Sequence, residues 1–176
     1  MAVAANAHAV NLAIAALRTI EAGNAMDQKA LLAKLSQHTA HVTVIGLGYV
    51  GLPLLVEVAR AGFHVTGYDL IEERAASVNR GESYIKDVPS SILSELRAQG
   101  RIDATTDPRC LGRSDVVIIC VPTPLNKSRS PDNSYIVAAA EALLPHLHKG
   151  MLVVLESTTF PGFTREVLLP RLSETG

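Results

Sequence analysis

The run HVTVIGLGYVG, residues His41 to Gly51, decides how this chain is read. A short apolar stretch breaks into Gly46-x-Gly48-x-x-Gly51. A second stretch, HVTGYD at His64 to Asp69, ends in an acid eighteen residues after Gly51. That order is strand, tight glycine turn, helix, strand, the first half of a dinucleotide-binding unit. Gly46 lets the strand turn, Gly48 lets backbone approach a pyrophosphate, and Gly51 lets the new helix pack on the strand. The helix start offers N–H groups and partial positive charge to phosphates. Asp69 accepts hydrogen bonds from the adenosine ribose and repels a 2′-phosphate, which favours NAD over NADP. The competing reading is a glycine-rich turn in an ordinary α/β protein, with Asp69 a solvated strand end.

Outward from this core, strand and helix alternate. A strand over Val42 to Ile45 leads to a helix ending near Ala61, with Pro53 in its first turn, where the missing N–H costs little. After the strand His64 to Asp69, a helix from Glu72 to Asn79 stops at Gly81. Ser90 to Gln99 reads as a helix with Ile92, Leu93 and Leu96 inward, followed by a short strand at Arg101 to Thr105. Asp115 to Val121 (DVVIICV) is a strand buried on both faces. Ser134 to His148 is a helix, Met151 to Leu155 a further buried strand, and Thr164 to Leu172 a last helix. The fold class is therefore α/β: a Rossmann-like, mostly parallel sheet with helices on both faces and right-handed crossovers. Residues 41–176 form this domain and residues 1–40 a helical N-terminal extension. Within the extension, Val3, Ala7, Val10, Ile14 and Leu17 fall on one helical stripe, which docks on the domain or on a partner, or else frays. A second short helix runs from Asp27 to Gln37 with Leu31, Leu32 and Leu35 on its apolar side, after a stop at Gly23 and Asn24.

Bulk properties exclude several functions. The 176 residues carry a formal net charge of −1, 48% hydrophobic residues, 4% aromatics and no Trp. Nothing here attracts nucleic acid or an anionic membrane, and nothing provides a base-stacking surface. Residues 1–17 lack Lys, Arg, Asp and Glu, so a secretory signal has no early basic residue, and Asn6, His8 and Asn11 interrupt any span. Cys110 and Cys120 show no metal-type spacing and suit a reducing, cytoplasmic compartment. No metal site is expected, because the six histidines show no ligand spacing with acids or cysteines. His146 and His148 fall at the end of a predicted helix, where cations are mildly favourable. Ser83-x-x-Lys86 lacks the motifs that accompany such a nucleophile pair. Asn126-Lys127-Ser128 is a glycosylation triplet without a secretory signal.

Two further loops lie at the carboxyl ends of strands, where an open parallel sheet binds ligands. In Val121-Pro122-Thr123-Pro124-Leu125 two prolines stiffen the backbone around a hydroxyl. Glu156-Ser157-Thr158-Thr159 sets three hydroxyls in a row beside a helix start. That cluster can hold a ribose, a nicotinamide amide or a water, or can simply cap the helix.

Together VTVIGLGYVGLP, VNRGESYIKDVPS, CVPTPLN and LESTTFPG resemble the N-terminal domain of the UDP-glucose/GDP-mannose dehydrogenases, most nearly the bacterial UDP-N-acetylglucosamine 6-dehydrogenase branch. The resemblance covers about Val42 to Pro170 in four ordered motifs. It implies oxidation of a nucleotide-sugar C6 hydroxymethyl to a carboxylate with two NAD+, through a thiohemiacetal and a thioester on a later cysteine. It implies cofactor contacts at Gly46, Leu47, Gly48, Tyr49, Val50 and Gly51, at Asp69 and Arg74, and at Val121, Pro122, Thr123, Ser157 and Thr158. Thr158 also positions a catalytic water. A UDP-sugar substrate, a homodimer of the full-length protein and a role in polysaccharide precursor synthesis follow from the same resemblance. The family's nucleophilic cysteine, its helical dimerisation domain and its UDP-binding domain have no counterpart in these 176 residues. The expectation is a cofactor domain truncated before its catalytic partners and inactive alone. A β-hydroxyacid or 6-phosphogluconate-type dehydrogenase domain shares the GLGxxG turn and a Ser-Thr cluster. A non-catalytic NAD-binding module shares every cofactor feature. Short-chain dehydrogenases are a poor match, since no tyrosine here has Lys four residues later.

Overall fold

The computed structural model describes residues 25–126 and 131–173. Its centre is a five-stranded, wholly parallel sheet: β1 (His41–Ile45), β2 (His64–Tyr68), β3 (Ile102–Thr105), β4 (Val116–Ile119) and β5 (Leu152–Leu155). The spatial order is β3-β2-β1-β4-β5. The chain builds outward through β2 and β3, then returns to the other side of β1, so the order reverses between β1 and β4. A crevice opens there at the carboxyl ends of the strands.

Alternation along each strand sorts side chains to two cores. Val42, Val44, Val65 and Ile102 face one layer, made of α2 (Gly51–Arg60), α3 (Glu72–Arg80) and α4 (Ser90–Ala98). Ile45, Tyr68, Val117 and Ile119 face the other, where a 3₁₀ turn (Pro108–Arg113) and α5 (Ser134–Leu143) pack through Cys110, Leu111, Ala139 and Leu143. Gly67 lies inside β2 because α2 comes close: a Cβ there would sit 2.7 Å from a Leu47 methyl and 3.0 Å from one of Leu55. The stop at Gly81 is as read, with Gly81 in the left-handed conformation at φ 73°.

The short helix expected from Asp27 to Gln37 is present as α1 (Ala25–Ser36). The stripe from Val3 to Leu17 and the stop at Gly23 and Asn24 lie outside the described residues. α1 sits at the amino ends of the strands, opposite the crevice. Leu31 is buried in the larger core, while Leu32 is exposed, contrary to its expected apolar side. Lys34 pairs with Asp115 at 2.5 Å, and His38 stacks on Phe63 with ring centroids 4.9 Å apart. Burying a leucine is worth about 1.5–3 kcal/mol. A pair whose lysine is half exposed contributes at most about 1 kcal/mol. Leu31 is therefore the main anchor.

Three elements differ from expectation. The helix at Ser134 stops at Leu143 and continues only as a 3₁₀ turn (Leu144–His146), because Pro145 brings no N–H to the helical ladder. His148 thus lies beyond the helix, where its Nε2 is 3.1 Å from the Ser114 carbonyl. β5 is only partly buried, since it forms the outer strand of the described sheet. The last helix begins as a π turn (Thr164–Leu168) before α6 (Leu169–Ser173).

Candidate functional site

The glycine turn lies at the reversal of strand order, between β1 and α2. Gly46 adopts φ +92°, and a Cβ there would meet the Cys120 carbonyl oxygen at 2.8 Å. Gly51 is tighter still, its absent Cβ falling 1.7 Å from the Gly46 oxygen. Gly48 is the opposite case. Nothing lies within 4 Å of its would-be Cβ, so this face of the turn is open. Among the described residues, the N–H groups of Gly48, Tyr49, Val50 and Gly51 find no acceptor within the chain. Val50 begins α2 without a side-chain cap. Four unsatisfied donors at the mouth of a helix form an anion seat.

Asp69 follows β2 and is only 6% exposed, which rules out a solvated strand end. Its Oδ2 accepts from the Leu47 N–H at 2.7 Å and from Arg74 Nη1 at 3.1 Å. Its Oδ1 accepts from the Ile71 N–H at 2.9 Å. A carboxylate offers about four lone-pair positions, so one on Oδ1 stays available. Asp69 lines a cleft of about 380 Å³ with Gly46, Gly48, Leu70, Ile71 and Tyr135. The apolar walls suit a flat aromatic ring.

A neighbouring cleft of about 370 Å³ shares Gly48, Arg74, Cys120, Val121 and Pro122 with the first. It extends over Tyr49, Val50 and Tyr84 to Thr123, Glu156, Ser157 and Thr158. The proline loop and the hydroxyl cluster, 34 residues apart in sequence from Thr123 to Ser157, thus meet at one wall. Ser157 Oγ donates to the Val121 carbonyl at 2.7 Å and ties the two loops together. Thr158 is exposed on the wall. Burial raises the Glu156 carboxyl above its ordinary range.

Leu47 is the sequence-derived site residue whose own groups are spent elsewhere. Its side chain is fully buried, its N–H goes to Asp69, and its carbonyl accepts the Tyr84 hydroxyl at 2.8 Å. The cleft walls also include Leu70, Ile71, Tyr84, Tyr135 and Glu156, which had no site role from sequence alone, and Gly67 supports the turn from beneath. The signal for Gly67 was a glycine inside a strand, which marks a close approach of another segment. Tyr84 lies in the GESYIKD segment, which carried part of the family resemblance but gave this side chain no role.

Both cysteines are free and buried. Burial pushes the Cys120 thiol up to about 12, helped by Glu156. Burial likewise pushes Cys110 up to about 11. Among the described residues no group of His, Cys, Asp and Glu could hold a metal, and no helix is long and apolar enough to cross a membrane.

Residues 40–176 match the model of the UDP-glucose/GDP-mannose dehydrogenase family, NAD binding domain. The chain belongs to that family. It is 39% identical over 127 residues to the NDP-N-acetyl-D-galactosaminuronic acid dehydrogenase of Ralstonia nicotianae, covering 72% of this chain and 29% of that protein. It is 36% identical over 133 residues to the UDP-N-acetyl-D-glucosamine 6-dehydrogenase of Pseudomonas aeruginosa, covering 76% and 31%. The structure of the UDP-D-ManNAc dehydrogenase from Pyrococcus horikoshii superimposes with a TM-score of 0.72 at 35% identity, over 77% of this chain and 32% of that one. The chain spans about a third of the length of these relatives. This membership sets aside the β-hydroxyacid dehydrogenase reading and identifies NAD as the domain's cofactor.

Proposed function

We propose that residues 41–176 are the cofactor-holding part of a nucleotide-sugar 6-dehydrogenase, and that its substrate is a UDP-sugar, UDP-N-acetylhexosamine-like or UDP-glucose. Family membership supports the enzyme class, and the names of its relatives support the substrate class. One observation carries the cofactor site: Gly48, with its open face and unpaired N–H, lines both the cleft that Asp69 borders with one lone pair still free and the adjoining cleft of Tyr49 and Val50. These residues fit the dinucleotide. The N–H groups of Gly48, Tyr49, Val50 and Gly51 would hold the diphosphate, and the remaining Asp69 lone pair would accept from the ribose. Arg74 flanks that ribose and holds the Asp69 charge in place. Leu70, Ile71 and Tyr135 would hold the adenine, and Val121, Pro122, Thr123, Ser157 and Thr158 would hold the nicotinamide end.

Bound NAD+ supplies the hydride acceptor. The balance for the whole reaction is one C6 alcohol, one water and two NAD+ giving one carboxylate, two NADH and three protons. This chain's residues orient the cofactor and place the exposed Thr158 hydroxyl where it can hold the attacking water. The thiol that carries the sugar is neither Cys110 nor Cys120. Both are buried, and raised pKa values keep them protonated near pH 7. The 176-residue chain alone therefore turns over no UDP-sugar. The complete enzyme is a homodimer acting in the cytoplasm on precursors of surface polysaccharide.

Calorimetric titration with NAD and NADP tests the cofactor site, with NAD expected to bind more tightly. Equal binding of the two would remove Asp69 from its role. Absorbance at 340 nm with UDP-N-acetylglucosamine tests the rest, and steady NADH production by this chain alone would overturn it.

A further inference from the structure

Leu47 is held from three sides. Its side chain is fully buried and occupies the space left by the missing Cβ of Gly67, with both methyls within 2.8 Å of where that Cβ would be. Its N–H donates to Asp69 Oδ2 at 2.7 Å. Its carbonyl accepts from Tyr84 Oη at 2.8 Å. Gly67 and Asp69 belong to β2 and its end, whereas Tyr84 arrives from the loop after α3. A trans peptide is planar, with its C=O and N–H opposed. Fixing the Leu47 carbonyl therefore also fixes the direction of the Gly48 N–H, away from Tyr84.

We infer that Tyr84 is a positioning residue for the diphosphate: by holding the Leu47 carbonyl it aims the Gly48 N–H, and with Gly67 and Asp69 it forms a clamp that presets the glycine turn. The inference rests on the cofactor reading above. Asp69 then serves two ends, since the carboxylate that reads the ribose also anchors the phosphate loop. Burial pushes the Tyr84 phenol up to about 12, with the Asp69 charge adding to the rise. The hydroxyl therefore remains a donor throughout the physiological range.

The test is Tyr84→Phe in the full chain, which removes one oxygen and keeps the ring. ADP-ribose carries the diphosphate and adenosine lacks it, and both are titrated by NMR. Loss of one hydrogen bond predicts roughly tenfold weaker ADP-ribose binding. Adenosine affinity stays within about twofold of wild type. The Leu47 carbonyl and Gly48 amide resonances of the free protein move as well. A purely structural role predicts equal losses for both ligands and a lower melting temperature, and that pattern overturns the inference, as does unchanged ADP-ribose binding. Failure of the wild-type chain to bind ADP-ribose at millimolar concentration would instead defeat the cofactor reading. The free-state resonances then decide the clamp: movement supports it and unmoved signals sink it.

Discussion

The three glycines of one turn differ in what a methyl group would do. At Gly51 the added carbon would fall 1.7 Å from the Gly46 carbonyl, a backbone atom that cannot step aside. Gly51→Ala is expected to cost about 1–3 kcal/mol or more, read as a lower unfolding midpoint in urea. Gly48→Ala meets nothing in the chain and requires no left-handed backbone, so stability should hold. Its methyl projects into the open space proposed for the diphosphate, so NAD titration should show binding lost. Asp69 yields a less obvious result. Exchanging it for Asn sets an NH₂ group or a weaker acceptor against the Leu47 N–H and Arg74. Asp69→Asn is therefore expected to weaken both NAD and NADP rather than switch preference, and titration with both cofactors checks this. The buried thiols make a further prediction. At pH 8 neither Cys110 nor Cys120 is ionised to any useful extent. Iodoacetamide should label native protein slowly and denatured protein fast, by intact-mass analysis.

Elements were legible where one local rule dominated. β1, the turn, α2 and β2 follow from strand-like runs broken by glycines with separate steric duties. The double burial of β4 shows in a run without polar residues. The partial exposure of β5 was not legible, because strand order is a property of the sheet and not of LVVL. The π turn at Thr164–Leu168 likewise has no composition cue. Tyr84 was hidden for a related reason: its partner lies 37 residues away, and only the packing of the loop after α3 brings them together. The hydroxyl cluster was read as a ligand group or a cap. Ser157 instead proves also to be a tie between the ends of β4 and β5. Removing that bond with Ser157→Ala should cost about 1 kcal/mol. For a chain of this size that is about 2–4 °C in the melting temperature, measurable by calorimetry.

At the scale of the whole molecule the sheet is polarised. Its carboxyl ends carry the crevice, and its amino ends carry α1 and a set of titrating groups. Burial, then His64, lowers the pKa of His41 below its ordinary 6.5. A group depressed on folding contributes stability above its unfolded pKa and loses it as pH falls through the folded value. Stability should therefore begin to decline below about pH 6.5. Asp115 extends that limb: burial alone would raise it, but hydrogen bonds from Lys34 and the His41 N–H hold it below 3.8. Asp107, bonded by Arg109, is held down at about 2. On the alkaline side the signs reverse. Tyr84 at about 12, Cys110 at about 11 and Cys120 at about 12 are all raised by burial. Their contribution is complete below the unfolded values, about 8.5 for Cys and 10 for Tyr, and is lost as pH climbs through the folded ones. Melting temperature against pH should thus show a plateau from about pH 6.5 to 8.5 with a fall on either side. His41→Gln should flatten the acid limb just below about pH 6.5 and leave the alkaline limb unchanged. An acid limb of the same slope in that variant would show that another group, and not this half-buried imidazole, sets the protein's acid sensitivity.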